Sequence, residues 1–243
     1  MPILVLRTGD AVPEVAARRG QFVKWIADHI GGAWDGVIRE HDARGDAPLP
    51  DPKAFSAIIV TGSSASVTER APWMLRAEEF LREAVAAEQP VLGICFGHQL
   101  MAQALGGHVE KNPKGREIGT VEVTLLPAAA GDPLFEGLPK DAAFNATHVD
   151  TVTRLPPGAT VLATTPLEPH AAFRVGESAW GVQFHPEIDG DVMRGYVRSR
   201  EPILRSEGLP FEAIHDRIHD APHGPALLKN FAKHVKRRGK RHH

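Results

Sequence analysis

Cysteine is all but missing from this chain: its 243 residues include one, Cys95. A single thiol builds no internal disulfide framework, which excludes a small disulfide-stapled secreted fold and fits a reducing cytosol. Any cysteine chemistry must pass through that residue. Net charge is scarce too. The formal balance of −2 gives bulk electrostatics nothing with which to recruit nucleic acid or an anionic membrane. No apolar run approaches a membrane span, and the N-terminus has no charged-then-apolar secretion signal, so a cytoplasmic protein without a membrane partner is expected. Internal repeats, low-complexity tracts and interdomain linkers are absent from the pattern as well.

What is present is an ordinary globular composition, 42% hydrophobic and 24% charged, long enough to bury a sizeable core. One domain over residues 1–243 is expected. Ile3 to Leu6, Ala57 to Thr61 and Val91 to Cys95 are near-continuous aliphatic runs of the kind found in buried parallel strands. Between the first two, Val15, Phe22, Val23, Ile26 and Ile30 recur at helical spacing until Gly31-Gly32 stops them. Pro72 to Ala87 repeats the helical pattern between the second and third. This βαβαβ order predicts an open, doubly wound, mostly parallel α/β sheet with helices on both faces and a ligand site beyond the carboxyl ends of its strands. Val121 to Leu125, Thr160 to Thr164, Ala171 to Val175 and Trp180 to Phe184 read as shorter strands of a small antiparallel section. The last two are joined by a hairpin at Gly176-Glu177. After Glu187 come helical patterns near Val192 to Ser206, Phe211 to His219 and Pro225 to Val235, then a basic tail from Lys236 to His243 that reads as a solvated end.

The most informative stretch is Pro90 to Gln99, where an apolar strand enters Gly93-Ile94-Cys95-Phe96-Gly97 and leaves as a helix over Gln99 to Leu105. This is the pattern of a strand–nucleophile–helix elbow with cysteine as the nucleophile. Glycines two residues to either side let neighbouring chain pass close. A sulfur at a helix N-terminus is favoured as thiolate, and the Phe96 N–H points where an oxyanion would form. Read blandly, Cys95 is a small apolar residue ending a strand. A thiol nucleophile needs a base, and thirteen histidines make a lone candidate cheap. His185 follows the Trp180 to Phe184 strand and precedes Pro186-Glu187, so a carboxylate two residues on can reach the imidazole and fix its tautomer.

Gly93 to Gln99 followed ninety residues later by Gln183-Phe184-His185-Pro186-Glu187 resembles the class I (triad-type) glutamine amidotransferases, closest to the amidotransferase portions of GMP synthases and their stand-alone relatives. Thr61-Gly62-Ser63 is similar to that family's oxyanion loop, and Thr147-His148-Val149-Asp150 to its second glutamine-contacting loop. Gly106 to Val109, Arg116 to Gly119 and Leu227 to Phe231 resemble further family segments. The resemblance implies a flavodoxin-like fold, with Cys95 as nucleophile, His185 as general base and acid, and Glu187 as orienting carboxylate. It implies oxyanion N–H groups from Gly62 and Phe96, and a glutamine head group held by Gln99 and the backbone of Thr147, His148, Val149 and Asp150. The implied half-reaction needs no metal and no organic cofactor. Two departures stand out. Ser63-Ser64 follow Gly62 where family members often have proline, and Asp189 to Pro222 form a helical insertion, longer than usual, ahead of the closing helix.

Three functions stay open for such a site: a glutaminase subunit feeding ammonia to a separate synthetase, a stand-alone hydrolase of γ-glutamyl amides or peptides, and a non-catalytic binding or regulatory module. The intact Cys95, His185 and Glu187 argue against the third. Related intracellular peptidases carry histidine directly after the nucleophile, where this chain has Phe96. The partners these readings imply are glutamine or a γ-glutamyl small molecule, a synthetase in trans, and a second copy of the chain. Among other groups, His215 and His219 sit four apart near Asp216, Asp220 and His223, but without a His-Glu-x-x-His glutamate or cysteine ligand they read as a polar face rather than a zinc site. His98 is too close to Cys95 in sequence to serve as its base, and Lys111, Lys114 and Arg116 read as a solvated basic loop.

Overall fold

The computed structural model describes residues 1–239. Strands β1 (Ile3–Arg7), β2 (Ile38–Asp42), β3 (Ala57–Val60) and β4 (Val91–Ile94) are joined in parallel in the order β2-β1-β3-β4. β11 (Ala179–Val182) pairs in parallel with β4. Beyond it β10 (Ala172–Val175), β9 (Thr160–Thr164), β6 (Glu117–Leu125) and β7 (Asp141–His148) complete a nine-stranded sheet through antiparallel pairings. β5 (His108–Lys111) and β8 (Asp150–Arg154) form a separate antiparallel pair.

Side-chain alternation in the parallel strands explains why both faces are covered. Along β1, Ile3 and Val5 point to one core with Ile59, Ile94, Trp180 and Phe231. Leu4 and Leu6 point to another with Ile58, Val60, Phe80 and Leu100. Helices α2 (Phe22–Ile30) and α8 (His223–Gly239) cover the first face; α3 (Pro72–Ala86) and α4 (Phe96–Ala104) cover the second. The segment after Glu187 is folded: α5 (Gly190–Ser199), α6 (Glu201–Ser206) and α7 (Phe211–Asp216) place Val192, Met193, Tyr196, Val197 and Leu204 in a third core with Val15 and Trp25. There α5 packs on α1 (Pro13–Arg19), and Arg19 clamps both Asp189 and Asp191.

Several expectations are revised. The pattern from Val15 to Ile30 is two helices, because Gly20 breaks it at φ 80°. The elbow helix starts at Phe96, directly after the cysteine. β2 was not anticipated: its Ile-Arg-Glu-His-Asp sequence lies on a sheet edge, where charge is tolerated and blocks further pairing. β5, β7 and β8 were not anticipated either. α7 ends at Asp216, so His215 and His219 share no helix face, and the His219 ring contacts the Asp220 carbonyl. The basic loop is tied down as well, Lys114 donating to the Pro166 carbonyl and Arg116 forking onto Glu207. Lys236, Arg237 and Arg238 are helical, pairing with Asp35, Glu136 and Glu88 at a helix C-terminus that favours cations. The rest of the basic tail, residues 240–243, lies outside the described residues. Among the described residues no helix is long and apolar enough to cross a membrane.

Candidate active site

Cys95 sits where β4 ends and α4 begins, at φ 51° and ψ −101°. A non-glycine residue in that region costs about 1–3 kcal/mol and persists only when its surroundings impose it. They do. A Cβ on Gly93 would fall 2.5 Å from the Gly97 carbonyl oxygen, and one on Gly97 would fall 2.5 Å from that of Val60, so both glycines are required for the turn. The Cys95 N–H donates to Val182 at 2.8 Å, which ties the elbow to β11 and so to the strand that leads to His185.

His185 and Glu187 form a compact unit beyond β11. His185 Nδ1 is 2.7 Å from Glu187 Oε1, and both side chains are buried. Asn145 of β7 holds this unit from three directions: its carbonyl accepts from the His185 N–H at 2.8 Å, its amide donates to the Ile188 carbonyl at 2.9 Å, and its Oδ1 accepts from Thr120. Phe22 stacks parallel to the His185 ring at 6.4 Å. On the outer side, Gly224 at the start of α8 lies so close that a Cβ there would be 2.3 Å from the Pro186 carbonyl oxygen. Gly224→Ala is therefore expected to destabilise the fold by about 1–3 kcal/mol despite alanine's better helix propensity, because the obstacle is backbone. Urea unfolding would show the lower midpoint, and displacement of Pro186 would disturb the His185–Glu187 unit with it.

Cys95 and His185 meet around Gly62. A Cβ there would lie 2.9 Å from His185 Cε1 and 3.8 Å from Cys95 Cβ. Burial alone raises the Cys95 thiol, but the charge and hydrogen bonding of His185, with help from His148, outweigh it and bring the thiol below its ordinary value. Burial likewise opposes charge on His185, yet Glu187 and the Cys95 sulfur lift it to about 10. Each group thus favours the charged form of the other, thiolate on Cys95 and imidazolium on His185. With Nδ1 on Glu187, the buried Nε2 is the ring nitrogen left to face the Cys95 sulfur.

Around this centre the loop after β3 is fixed by Thr8, whose hydroxyl donates to the Thr61 carbonyl at 2.8 Å and whose N–H donates to the Thr61 hydroxyl. Ser63, standing where family members often have proline, closes the turn with its own side chain by accepting the Ala65 N–H at 3.1 Å. Phe96 opens α4, where helix geometry leaves its N–H without an intrahelical acceptor.

The residues expected to hold a glutamine head group are differently placed. The Thr147 carbonyl is 3.8 Å from Cys95 Sγ. The Gln99 amide is turned inward, donating to the Asp150 carbonyl and to Gln183. His148 is buried between Glu117, at 2.9 Å, and the Asp150 carbonyl; burial opposes its charge, but the Glu117 hydrogen bond and the Cys95 sulfur raise its pKa. The Val149 carbonyl is taken by Asn112, and the Asp150 carboxylate by Ser66. Thr147 thus borders the sulfur, while Gln99, His148, Val149 and Asp150 chiefly brace the loop. His98 points away from Cys95 into the second core, where burial holds its pKa near 3 and it packs 4.8 Å from Phe173. Asn145 and Phe22 are contributors that no local motif announced, and Glu117 stood in the Arg116 to Gly119 segment without an assigned role.

Comparison with known proteins identifies the family. The glutamine amidotransferase class-I family model matches residues 36–198. Among curated relatives, the glutamine-hydrolyzing GMP synthase of Parafrankia sp. is 37% identical over 190 residues, covering 77% of this chain and 32% of that protein. That of Thermosipho africanus is 41% identical over 188 residues, covering 76% and 32%. This chain therefore spans about a third of the length of the curated relatives it matches. Among solved structures, a glutamine amidotransferase from Thermotoga maritima aligns with TM-score 0.68 and 20% identity over 98% of this chain and 97% of that one. A glutamine amidotransferase from Methylobacillus flagellatus gives 0.69 and 23% over 99% and 94%. At those identities the structures establish a shared fold. With the family model covering most of the chain and the elbow and His-Pro-Glu segments in place, the protein belongs to the class-I glutamine amidotransferase family.

Proposed function

We propose that this chain hydrolyses the side-chain amide of glutamine, or a closely related γ-glutamyl amide, through a Cys95–His185–Glu187 triad. The observation that carries this reading is the convergence of the strained Cys95, the buried His185–Glu187 pair and Gly62 on one point. The Cys95 thiolate attacks the amide carbonyl, and the oxyanion is received by the N–H groups of Gly62 and Phe96. His185 gives its proton to the leaving nitrogen, releasing ammonia and leaving a γ-glutamyl thioester. His185 then takes a proton from water, which cleaves the thioester to glutamate. Glu187 orients the ring and offsets its charge throughout. In this reading the Gln99 Oε1 and the Thr147 backbone hold the head group, and the Thr147 carbonyl 3.8 Å from Cys95 Sγ supports the second assignment.

The fate of the ammonia distinguishes two versions. The curated relatives are named as glutamine-hydrolyzing GMP synthases, which supports a subunit that feeds a separate synthetase. The covered apolar face of the α5–α7 segment supports a hydrolase that works alone: Val192, Met193, Val197 and Leu204 are buried within the chain, and Ile203 is its one exposed large hydrophobic residue among those described. The test is to give the purified chain glutamine, asparagine and γ-glutamyl amides and to measure ammonia and glutamate. Equimolar release from γ-glutamyl substrates and none from asparagine is expected. Release that needs an added synthetase would support the subunit version, and no release under either condition would overturn the reading.

A further inference from the structure

One charged side chain near this centre has no partner. Among the described residues, every other arginine that is not exposed is matched to an oxygen: Arg7, Arg19, Arg44, Arg116, Arg174 and Arg238 to carboxylates, and Arg194 to the Ile218 carbonyl. Arg200 is the exception. Its guanidinium lies 5.0 Å over the Tyr196 ring, it makes no side-chain hydrogen bond or ion pair, and its Nη1 is enclosed without an acceptor. The Tyr196 hydroxyl is likewise buried, facing the Val12 backbone with no side-chain partner. Enclosing a guanidinium N–H and leaving it unpaired is costly, and proteins keep such an arrangement where an anion completes it.

Position says which anion. Arg200 closes α5 and opens α6, in the segment that starts right after Glu187. Tyr196, on which it rests, belongs to the same packed cluster as Ile188 and Phe22, and Phe22 stacks on His185. Burial pulls the Arg200 pKa below the ordinary arginine value, opposed by Tyr196, furthered by the neighbouring cation Arg116, and opposed more weakly by the Cys95 sulfur. A glutamine placed with its amide over Cys95 must present its other end, bearing a carboxylate, some way from the sulfur. A planar guanidinium braced on an aromatic ring suits a carboxylate, since two of its N–H groups can donate in parallel. We propose that Arg200, positioned by Tyr196, binds the α-carboxylate of the γ-glutamyl substrate. The inference deepens, and rests on, the reading of the site as a γ-glutamyl amide hydrolase.

The experiment compares glutamine with 4-aminobutanamide, which is glutamine without its α-carboxylate, on the intact chain and its Arg200→Gln and Arg200→Lys variants. Arg200→Gln should raise KM for glutamine about 10–100-fold with kcat little changed, the loss of a charge-assisted pair from substrate and transition state alike. It should leave kcat/KM for 4-aminobutanamide close to the parent value, which also reports that the variant is folded. Arg200→Lys should recover part of the glutamine KM. Equal losses on both substrates, or an unchanged glutamine KM in Arg200→Gln, would overturn the assignment while leaving the hydrolase reading intact. A parent chain that cleaves neither compound would refute both.

Discussion

Cys95→Ala will release no ammonia from glutamine above background, a loss on the order of 10⁴-fold or more, and a glutamine-derived electrophile will no longer label the chain. The size of the effect follows from the chain holding a single cysteine. No second thiol can substitute, and removing a nucleophile from a coupled triad costs nearly as much as removing the whole set. Cys95→Ser is expected to keep only a trace, because a hydroxyl at neutral pH is far less ionised than a thiol that His185 already holds below its ordinary value. Neither substitution should unfold the protein, since both side chains fit the space and face the same backbone strain. Mass spectrometry after labelling, with ammonia release measured alongside, tests the assignment. Ammonia release by Cys95→Ala at the parent rate would assign the nucleophile elsewhere.

Glu187→Gln should lower kcat by about 10²–10⁴-fold with a much smaller change in KM, since the carboxylate orients His185 and does not grip substrate. The pH dependence sharpens this. His185 is raised from 6.5 to about 10, against its own burial, by Glu187 and the Cys95 sulfur. A raised value means that the favourable charge on His185 is fully present below about pH 6.5 and is lost as pH climbs through about 10. The parent enzyme should therefore keep its proton donor across neutral pH and lose activity on the alkaline side near 10. Replacing Glu187 with the neutral amide removes one of the raising causes, so that alkaline limb should move to lower pH. Profiles of kcat measured from neutral to alkaline pH decide it, and a limb that stays put would mean that Glu187 does not act through His185.

The elbow and the His185–Glu187 unit were legible because their signals are local. A four-residue aliphatic strand, two glycines and one cysteine specify the elbow, and His185 and Glu187 stand two residues apart at the end of another apolar strand. What joins them is the parallel pairing of β4 with β11, which alternating strand and helix patterns foreshadow only in outline. The missed strands had weak signals for physical reasons. β7 reads Asp-Ala-Ala-Phe-Asn-Ala-Thr-His, poor in β-branched residues, and is held mainly by its long pairing with β6. β2 hides its register behind the charges that protect an edge. Phe22, Asn145 and Arg200 reach the site only through tertiary packing, so no window along the sequence brings them beside His185 or Cys95. The expected head-group residues divided for a similar reason: His148 and the Gln99 amide nitrogen look available in a motif, but the fold uses those atoms to satisfy buried neighbours.

The excursion that carries Arg200 leaves and rejoins the core at almost one place. Its first helical N–H, at Gly190, donates to the Asp220 carboxylate at 3.1 Å, and a few residues later Gly224 rests on Pro186. Geometrically it is a loop on a closed neck. The reacting groups stand on sheet strands and the turns beside them, whereas the residue assigned to recognition hangs from this neck. An exchange of everything between Gly190 and Asp220 would thus alter what the enzyme selects without re-aiming the sulfur. In a lineage that diversifies its substrates, that arrangement lets selectivity drift while the chemistry stays fixed.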